Sequence, residues 1–144
     1  MEKLEKESNM HANEAAISGG RKWAAYIMSG LPALFLLWDA IMKLVKPAFV
    51  VKATIDLGYP ESTIVGIGIA LLISTVLYLV PSTSILGAIC LTGHLGGAVA
   101  SQVRAQAVLF NIVFPVFVAA LLWGGLWLRD RRLRELLPLR PTGS

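Results

Sequence analysis

Charged residues are scarce in this chain: only 15% of its 144 residues are Asp, Glu, Lys or Arg, and 56% are hydrophobic. Soluble domains average about 25% charged and about 45–50% apolar residues, so the composition favours a membrane protein. The single cysteine, Cys90, excludes an internal disulfide and a Cys-x-x-Cys redox motif. The net charge of +4 does not indicate nucleic-acid binding, because the basic residues gather near the chain ends beside apolar runs.

Charge is scarcest in four apolar segments, at residues 23–42, 62–80, 85–103 and 105–128. Each is close to the roughly 20 residues that a helix needs to cross about 30 Å of hydrocarbon. The last three segments contain no Asp, Glu, Lys or Arg, and the first contains only Asp39. The sequence therefore predicts an all-α integral membrane protein with four transmembrane helices.

The connections between these segments predict how the helices are arranged. Residues 81–84 read as a tight turn, and only Arg104 separates the third segment from the fourth. Helices joined by such short connections run antiparallel as neighbours, which predicts an up-down-up-down four-helix bundle. The predicted transmembrane domain covers residues 21–140, between a polar, flexible tail at 1–20 and a C-terminal tail at 141–144.

Two segments outside the spans are typical of helices that lie on a membrane surface. Residues 43–61 place apolar residues at helical spacing, with Lys52 and Asp56 paired on the other side and Gly58 as a stop signal. They predict a short amphipathic helix between the first and second spans. After the fourth span, arginines alternate with leucines as far as Pro138, which predicts a basic interfacial extension.

Lysine and arginine are unevenly divided between the two sides of the predicted bundle. The side holding both termini carries nine: Lys3, Lys6, Arg21, Lys22, Arg129, Arg131, Arg132, Arg134 and Arg140. The other side carries four: Lys43, Lys46, Lys52 and Arg104. Because basic residues concentrate on the cytoplasmic side of membrane proteins, we expect both termini in the cytoplasm.

Asp39 and Lys43 are the strongest local candidates for a functional site. A carboxylate in a membrane helix costs roughly 2.5–3.5 kcal/mol at mid-bilayer, and a spacing of four residues puts the lysine on the same helix face. The pair is either a structural ion pair at the membrane boundary or part of a site for a ligand or proton. The polar residues of the outer half of the bundle define a predicted pocket: Asp39, Lys43, His94, Gln102, Arg104 and Asn111.

His94 and the glycines beside it have a structural interpretation as well as a functional one. No metal site is predicted, because the only other histidine, His11, lies in the tail. A hydrogen bond from His94 to a neighbouring helix is the simpler expectation. Gly93, Gly97 and Ser101 form a small-xxx-small pattern, which predicts close packing of another helix or of a second copy of the chain.

Four blocks of sequence resemble the DoxX-like family of small four-helix bacterial membrane proteins. They are LLWDAIMKLVKP at 36–47, LGYPES at 57–62, LTGHLGGA at 91–98, and LWLRD continuing to LLPLR at 126–140. The resemblance implies a multi-pass protein of the bacterial inner membrane. It also implies a link to oxidoreductases, since relatives include the small subunit of an archaeal thiosulfate:quinone oxidoreductase. His94 stands where relatives often have Tyr, and Ser101-Gln102 replaces a common Thr-His.

Three functions stay open at the level of the sequence, and no set of residues for independent catalysis is found. The first is a non-catalytic accessory or anchoring subunit, or a binder of a small apolar molecule in the outer-half pocket. The second is a subunit of a quinone-linked oxidoreductase, in which Asp39, Lys43 and His94 contact the quinone head. The third is a small transporter. Only the second implies a cofactor, the quinone; the expected partners are the lipid bilayer and a membrane protein or a second copy.

Overall fold

The computed structural model describes residues 1–136, except for the side chains of residues 15–17. This part of the chain forms six α-helices and one short 3-10 turn. They are α1 (Glu2–Val45), α2 (Ala48–Asp56), the 3-10 turn (Glu61–Thr63), α3 (Ile64–Leu79), α4 (Ser84–Arg104), α5 (Leu109–Arg129) and α6 (Arg131–Leu136).

Within the described residues, four helices are long and apolar enough to cross a membrane: α1, α3 together with the 3-10 turn, α4 and α5. The predicted all-α, four-helix membrane bundle is therefore confirmed. Both α1 and α4 pack against α3 and α5, so the four helices form a ring in which α1 and α4 face each other diagonally. We call the end where α1 and α4 finish the cavity end, and the end where α3 and α5 finish the arginine end.

The core of the bundle consists of buried aliphatic side chains and one buried tyrosine. The side chain of Tyr78 on α3 is fully buried, and its hydroxyl donates to the carbonyl oxygen of Leu122 on α5 at 2.7 Å. Gly125 lets α5 approach α1, because a Cβ atom there would lie 2.3 Å from the Ser29 hydroxyl oxygen. These close contacts of α5 with α3 and with α1 lie toward the arginine end.

Two helix boundaries differ from the prediction. Helix α1 begins at Glu2 rather than near Trp23, so residues 2–20 are a helical extension of the first span, and its residues 2–14 are exposed. Glu, Lys and Ala, which are strong helix formers, are frequent in this extension, and acidic side chains in the first turn favour its N-terminus. Helix α5 begins at Leu109 rather than at 105, because Gln106 adopts a left-handed conformation with φ 52° that interrupts the chain after α4.

The two short helices have the positions that the sequence predicts. In α2, Lys52 donates to the carboxylate of Asp56 at 2.7 Å, and Gly58 follows the helix with φ 84°. In α6, Leu133 is buried against the core of the bundle. The predicted continuation of the C-terminal extension through residues 137–140 lies outside the described residues.

Candidate functional site

A cavity of about 420 Å³ lies at the cavity end of the bundle, between the diagonal helices α1 and α4. It exists because α3 and α5 hold these two helices apart instead of letting them pack on each other. Residues from all parts of the bundle contribute to its wall. They are Phe35, Leu36, Asp39 and Lys43 of α1; Thr54 of α2, with Leu57 and Tyr59 after it; Ile67 of α3; Gly93–Ala98, apart from Gly96, and Ser101 and Gln102 of α4; and Phe114, Pro115 and Val118 of α5.

Asp39 and Lys43 form an ion pair in the cavity wall. The ammonium group of Lys43 donates to both carboxylate oxygens of Asp39. The side chain of Lys43 is 18% exposed and that of Asp39 is 29% exposed. Helix α3 packs closely on the stem of Lys43, because a Cβ atom at Gly68 would lie 2.9 Å from the Lys43 Cβ. The pair is thus held in place by packing as well as by charge.

The structure brings together four of the six residues of the predicted polar pocket. His94 and Gln102 of α4 line the same cavity as Asp39 and Lys43 and are half-buried. Arg104 and Asn111 lie elsewhere. The Arg104 guanidinium donates to the carbonyl oxygen of Leu57 at 2.6 Å, and Asn111 is exposed in the first turn of α5.

The segment between α2 and α3 closes part of the cavity and is fastened to the end of α4. The hydroxyls of Tyr59 and Ser101 are hydrogen-bonded at 2.6 Å, and Arg104 binds the same segment through Leu57. Gly58 turns the chain here with a positive φ, and a Cβ atom at this position would lie 2.8 Å from a guanidinium nitrogen of Arg104. Sequence reasoning did not identify Tyr59 as a wall residue, although its place in the block at 57–62 was a signal.

Apart from Thr54, whose hydroxyl donates to the carbonyl oxygen of Val50, the rest of the wall is apolar. Phe35 of α1 and Phe114 of α5 meet edge to face, with their ring centroids 5.3 Å apart. Pro115 and Val118, the next lining residues of α5, are buried. The cavity therefore offers apolar surface from α1 and α5 together with a polar area made by the ion pair, His94 and Gln102.

Gly93 and Gly97 line this cavity and do not contact another helix within the described chain. A Cβ atom at either glycine would meet no atom of the described residues within 4 Å. The hydroxyl of Ser101 donates to the carbonyl oxygen of Gly97 at 2.8 Å, within α4 itself. The glycine that brings α4 against α3 is Gly87 instead, which the small-xxx-small pattern does not include. Packing of a second copy on Gly93 and Gly97 stays a prediction.

The titratable groups of the site are few: the Asp39–Lys43 ion pair, His94 and the Tyr59 hydroxyl. Among the side chains that the structure describes, no three His, Cys, Asp or Glu residues lie close enough together to hold a metal ion. The arrangement provides one ion pair, one imidazole, one amide and three hydroxyls, those of Thr54, Tyr59 and Ser101, in a largely apolar wall. Groups of this kind can fix the polar head of a molecule by hydrogen bonds while the wall accommodates its apolar part.

Comparison with known proteins places these residues within a family. A model of the DoxX-like family matches residues 27–125 of the chain. The matched stretch includes every residue that lines the cavity. No curated protein and no solved structure matches the chain.

Proposed function

The chain belongs to the DoxX-like family, and from this premise we propose that it binds a small, largely apolar molecule with a polar head in the cavity between α1 and α4. The observation that carries the proposal is the cavity itself. Its volume of about 420 Å³ lies within the range of about 300–1,000 Å³ typical of small-molecule sites. Its wall is mostly apolar, and its few polar groups converge from α1 and α4.

The polar groups supply the selectivity of such a site. An apolar molecule dissolved in lipid gains little by moving into an apolar cavity, because lipid tails are equally apolar. Hydrogen bonds to the Asp39–Lys43 pair, His94 and Gln102 would give the bound state its advantage over lipid, since these groups lie away from bulk water. A quinone is one molecule of this class, and binding it would link the protein to a quinone-linked oxidoreductase.

The orientation of the chain in the membrane places the cavity and suggests a role for it. We place the chain in the bacterial cytoplasmic membrane, and the uneven distribution of Lys and Arg supports an orientation with both termini in the cytoplasm. The cavity would then lie in the outer half of the bilayer, near the surface where Tyr59 and α2 close it. A binding protein in this position would act as an accessory subunit that holds a lipid-soluble molecule for a membrane partner.

A cavity-filling variant tests the proposal. Gly97 and Gly96 are both exposed in the described chain, but only Gly97 lines the cavity, and an added Cβ atom at either position has no atom of another helix within 4 Å. We expect Gly97→Leu to fold and to lose the bound molecule, because its side chain occupies the cavity. Gly96→Leu is the matched control and should retain it. The measurement is mass spectrometry of organic extracts from each protein after purification in mild detergent.

Two results would contradict this function. One is that no small molecule accompanies the wild-type protein; the other is that Gly97→Leu retains it as well as Gly96→Leu does. Light scattering on the same samples identifies the competing explanation. If Gly97→Leu dissociates a dimer that Gly96→Leu preserves, the glycines serve helix packing between copies.

A further inference from the structure

A second pocket, of about 510 Å³, lies at the opposite, arginine end of the bundle. Three parts of the chain form it: α1, the turn between α3 and α4, and the junction of α5 with α6. It is lined by Tyr26, Pro81, Ser82, Ser84, Arg129, Asp130 and Arg132. Six of its seven lining residues carry a polar or charged group, a larger share than in the cavity at the other end, although most of its lining surface is still apolar.

The position of this pocket matches the level of lipid headgroups. Helix α3 ends at Leu79, α4 begins at Ser84 and α5 ends at Arg129, so the pocket lies where three spans leave the apolar part of the bundle. On α1, Trp23 and Tyr26 are 71% and 67% exposed. Exposed Trp and Tyr side chains at the end of a span are typical of the interface between hydrocarbon and headgroups.

Arg129 is held in place at the wall of the pocket. Its guanidinium donates to the carbonyl oxygen of Tyr78 at 3.0 Å and lies 4.9 Å from the centroid of the Tyr78 ring. A guanidinium has five N–H donors, and these contacts use only a part of them. The Arg129 side chain is already ordered. It therefore loses less conformational entropy when it binds an anion than a mobile lysine or arginine side chain would lose.

The charge of the pocket suits a singly charged anion. Two arginines and one aspartate line it, for a net charge of +1. The backbone N–H of Arg132 donates to one carboxylate oxygen of Asp130 at 2.9 Å, at the start of α6. This bond does not use the guanidinium group of Arg132. Ser82 adds an exposed hydroxyl on the turn. Arginine and hydroxyl donors together are the usual partners of phosphate oxygens.

We propose that this pocket binds a phosphate group at the membrane surface, either the phosphodiester of a phospholipid headgroup or a free phosphate, through Arg129, Arg132 and Ser82. The inference is independent of the cavity at the other end. Basic pockets between membrane helices bind lipid headgroups in this way, and the exposed aromatic side chains of α1 provide surface for the lipid's glycerol and upper chains.

The test compares two arginines of the same short helix. Arg132 lines the pocket and Arg134 does not, so Arg132→Gln and Arg134→Gln remove the same charge at different places. Native mass spectrometry of the full chain in a non-ionic detergent, titrated with phosphatidylglycerol, measures lipid retention. We expect Arg132→Gln to weaken retention about fivefold and Arg134→Gln to change it little.

Three further results decide the interpretation. Equal loss in both variants would show diffuse attraction by the basic surface and would overturn the proposal, as would equal retention of diacylglycerol, which lacks the phosphate. Displacement of phosphatidylglycerol by millimolar inorganic phosphate would support free phosphate as the occupant. Retention of the lipid under the same conditions would support the headgroup.

Discussion

At the scale of single residues, the Asp39–Lys43 pair is the feature whose energetics matter most. A carboxylate in a membrane helix is costly, and Lys43 offsets that cost by donating to both of its oxygens. The Lys43 side chain is itself less than one-fifth exposed, so its charge also needs the aspartate as a partner in place of water. Removing one member leaves an unpaired charged group in the cavity wall, whereas removing both does not.

We therefore predict that Asp39→Asn lowers the free energy of unfolding in detergent by about 1–3 kcal/mol, because Lys43 loses its ionic partner. The double variant Asp39→Asn/Lys43→Gln should recover most of this loss, since no charge is left unpaired. Chemical denaturation followed by circular dichroism measures both. An Asp39→Asn protein with the stability of the wild type would contradict a mutual dependence of the two side chains.

The exposed pair Lys52–Asp56 on α2 is a matched control, with the same spacing of four residues. Its side chains are 76% and 60% exposed, so water replaces the ion pair when it is broken. Asp56→Asn should change stability by less than about 0.5 kcal/mol. A comparable loss of unfolding free energy at both pairs would mean that burial does not decide how much an ion pair contributes to stability.

At the scale of helices, glycines decide where the spans touch. A Cβ atom at Gly87 would lie 2.1 Å from the backbone nitrogen of Tyr78, so α4 begins directly against the end of α3. The backbone of α3 cannot yield as a flexible side chain would. The glycines of the predicted small-xxx-small pattern, Gly93 and Gly97, instead face the cavity, which shows that the pattern alone does not identify the contact.

We predict that Gly87→Ala destabilises the bundle by about 1–3 kcal/mol, because the added methyl group forces α3 and α4 apart. Gly96→Ala, in the same helix but in open space, should be neutral or stabilising by up to about 1 kcal/mol, since alanine is the better helix former. Thermal unfolding of the two variants in one detergent provides the comparison. Similar melting temperatures would refute the close contact.

At the scale of the whole molecule, four antiparallel spans give the protein two chemically different ends. The cavity end has the ion pair and the segment fastened by Tyr59 and Ser101. The arginine end has Arg129 and the polar pocket around it. An even number of spans also predicts that residues 1 and 136, the two ends of the described chain, lie on one side of the membrane.

The expected orientation is tested by cysteine labelling in intact cells. In a Cys90→Ala background, Ala105→Cys in the α4–α5 connection should react with a membrane-impermeant maleimide from outside. Ser8→Cys in the N-terminal extension should react only after the membrane is disrupted, because the side richer in Lys and Arg faces the cytoplasm. The reverse labelling pattern would invert the proposed orientation.

Much of the candidate site could be predicted from the sequence. The two predicted residues that do not line the cavity, Arg104 and Asn111, were included for one physical reason. Asp39, Lys43, His94 and Gln102 were predicted from polarity and depth, and all four line the cavity. Depth along a span follows from counting residues, but the direction in which a side chain points depends on how each helix is rotated. For that reason Arg104 and Asn111 were grouped with the pocket, although both lie outside it.

The sequence by itself determined the number of spans and their antiparallel order, because apolar runs of about 20 residues with at most one charge cross the bilayer as helices. The four sequence blocks determined the family. Only the tertiary structure decided that α1 and α4 are held apart and that Tyr59 closes the space between them. It also decided that Arg129 borders a second pocket. These features depend on helix rotation and close approach, which arise from many packing contacts at once and leave no local pattern in the chain.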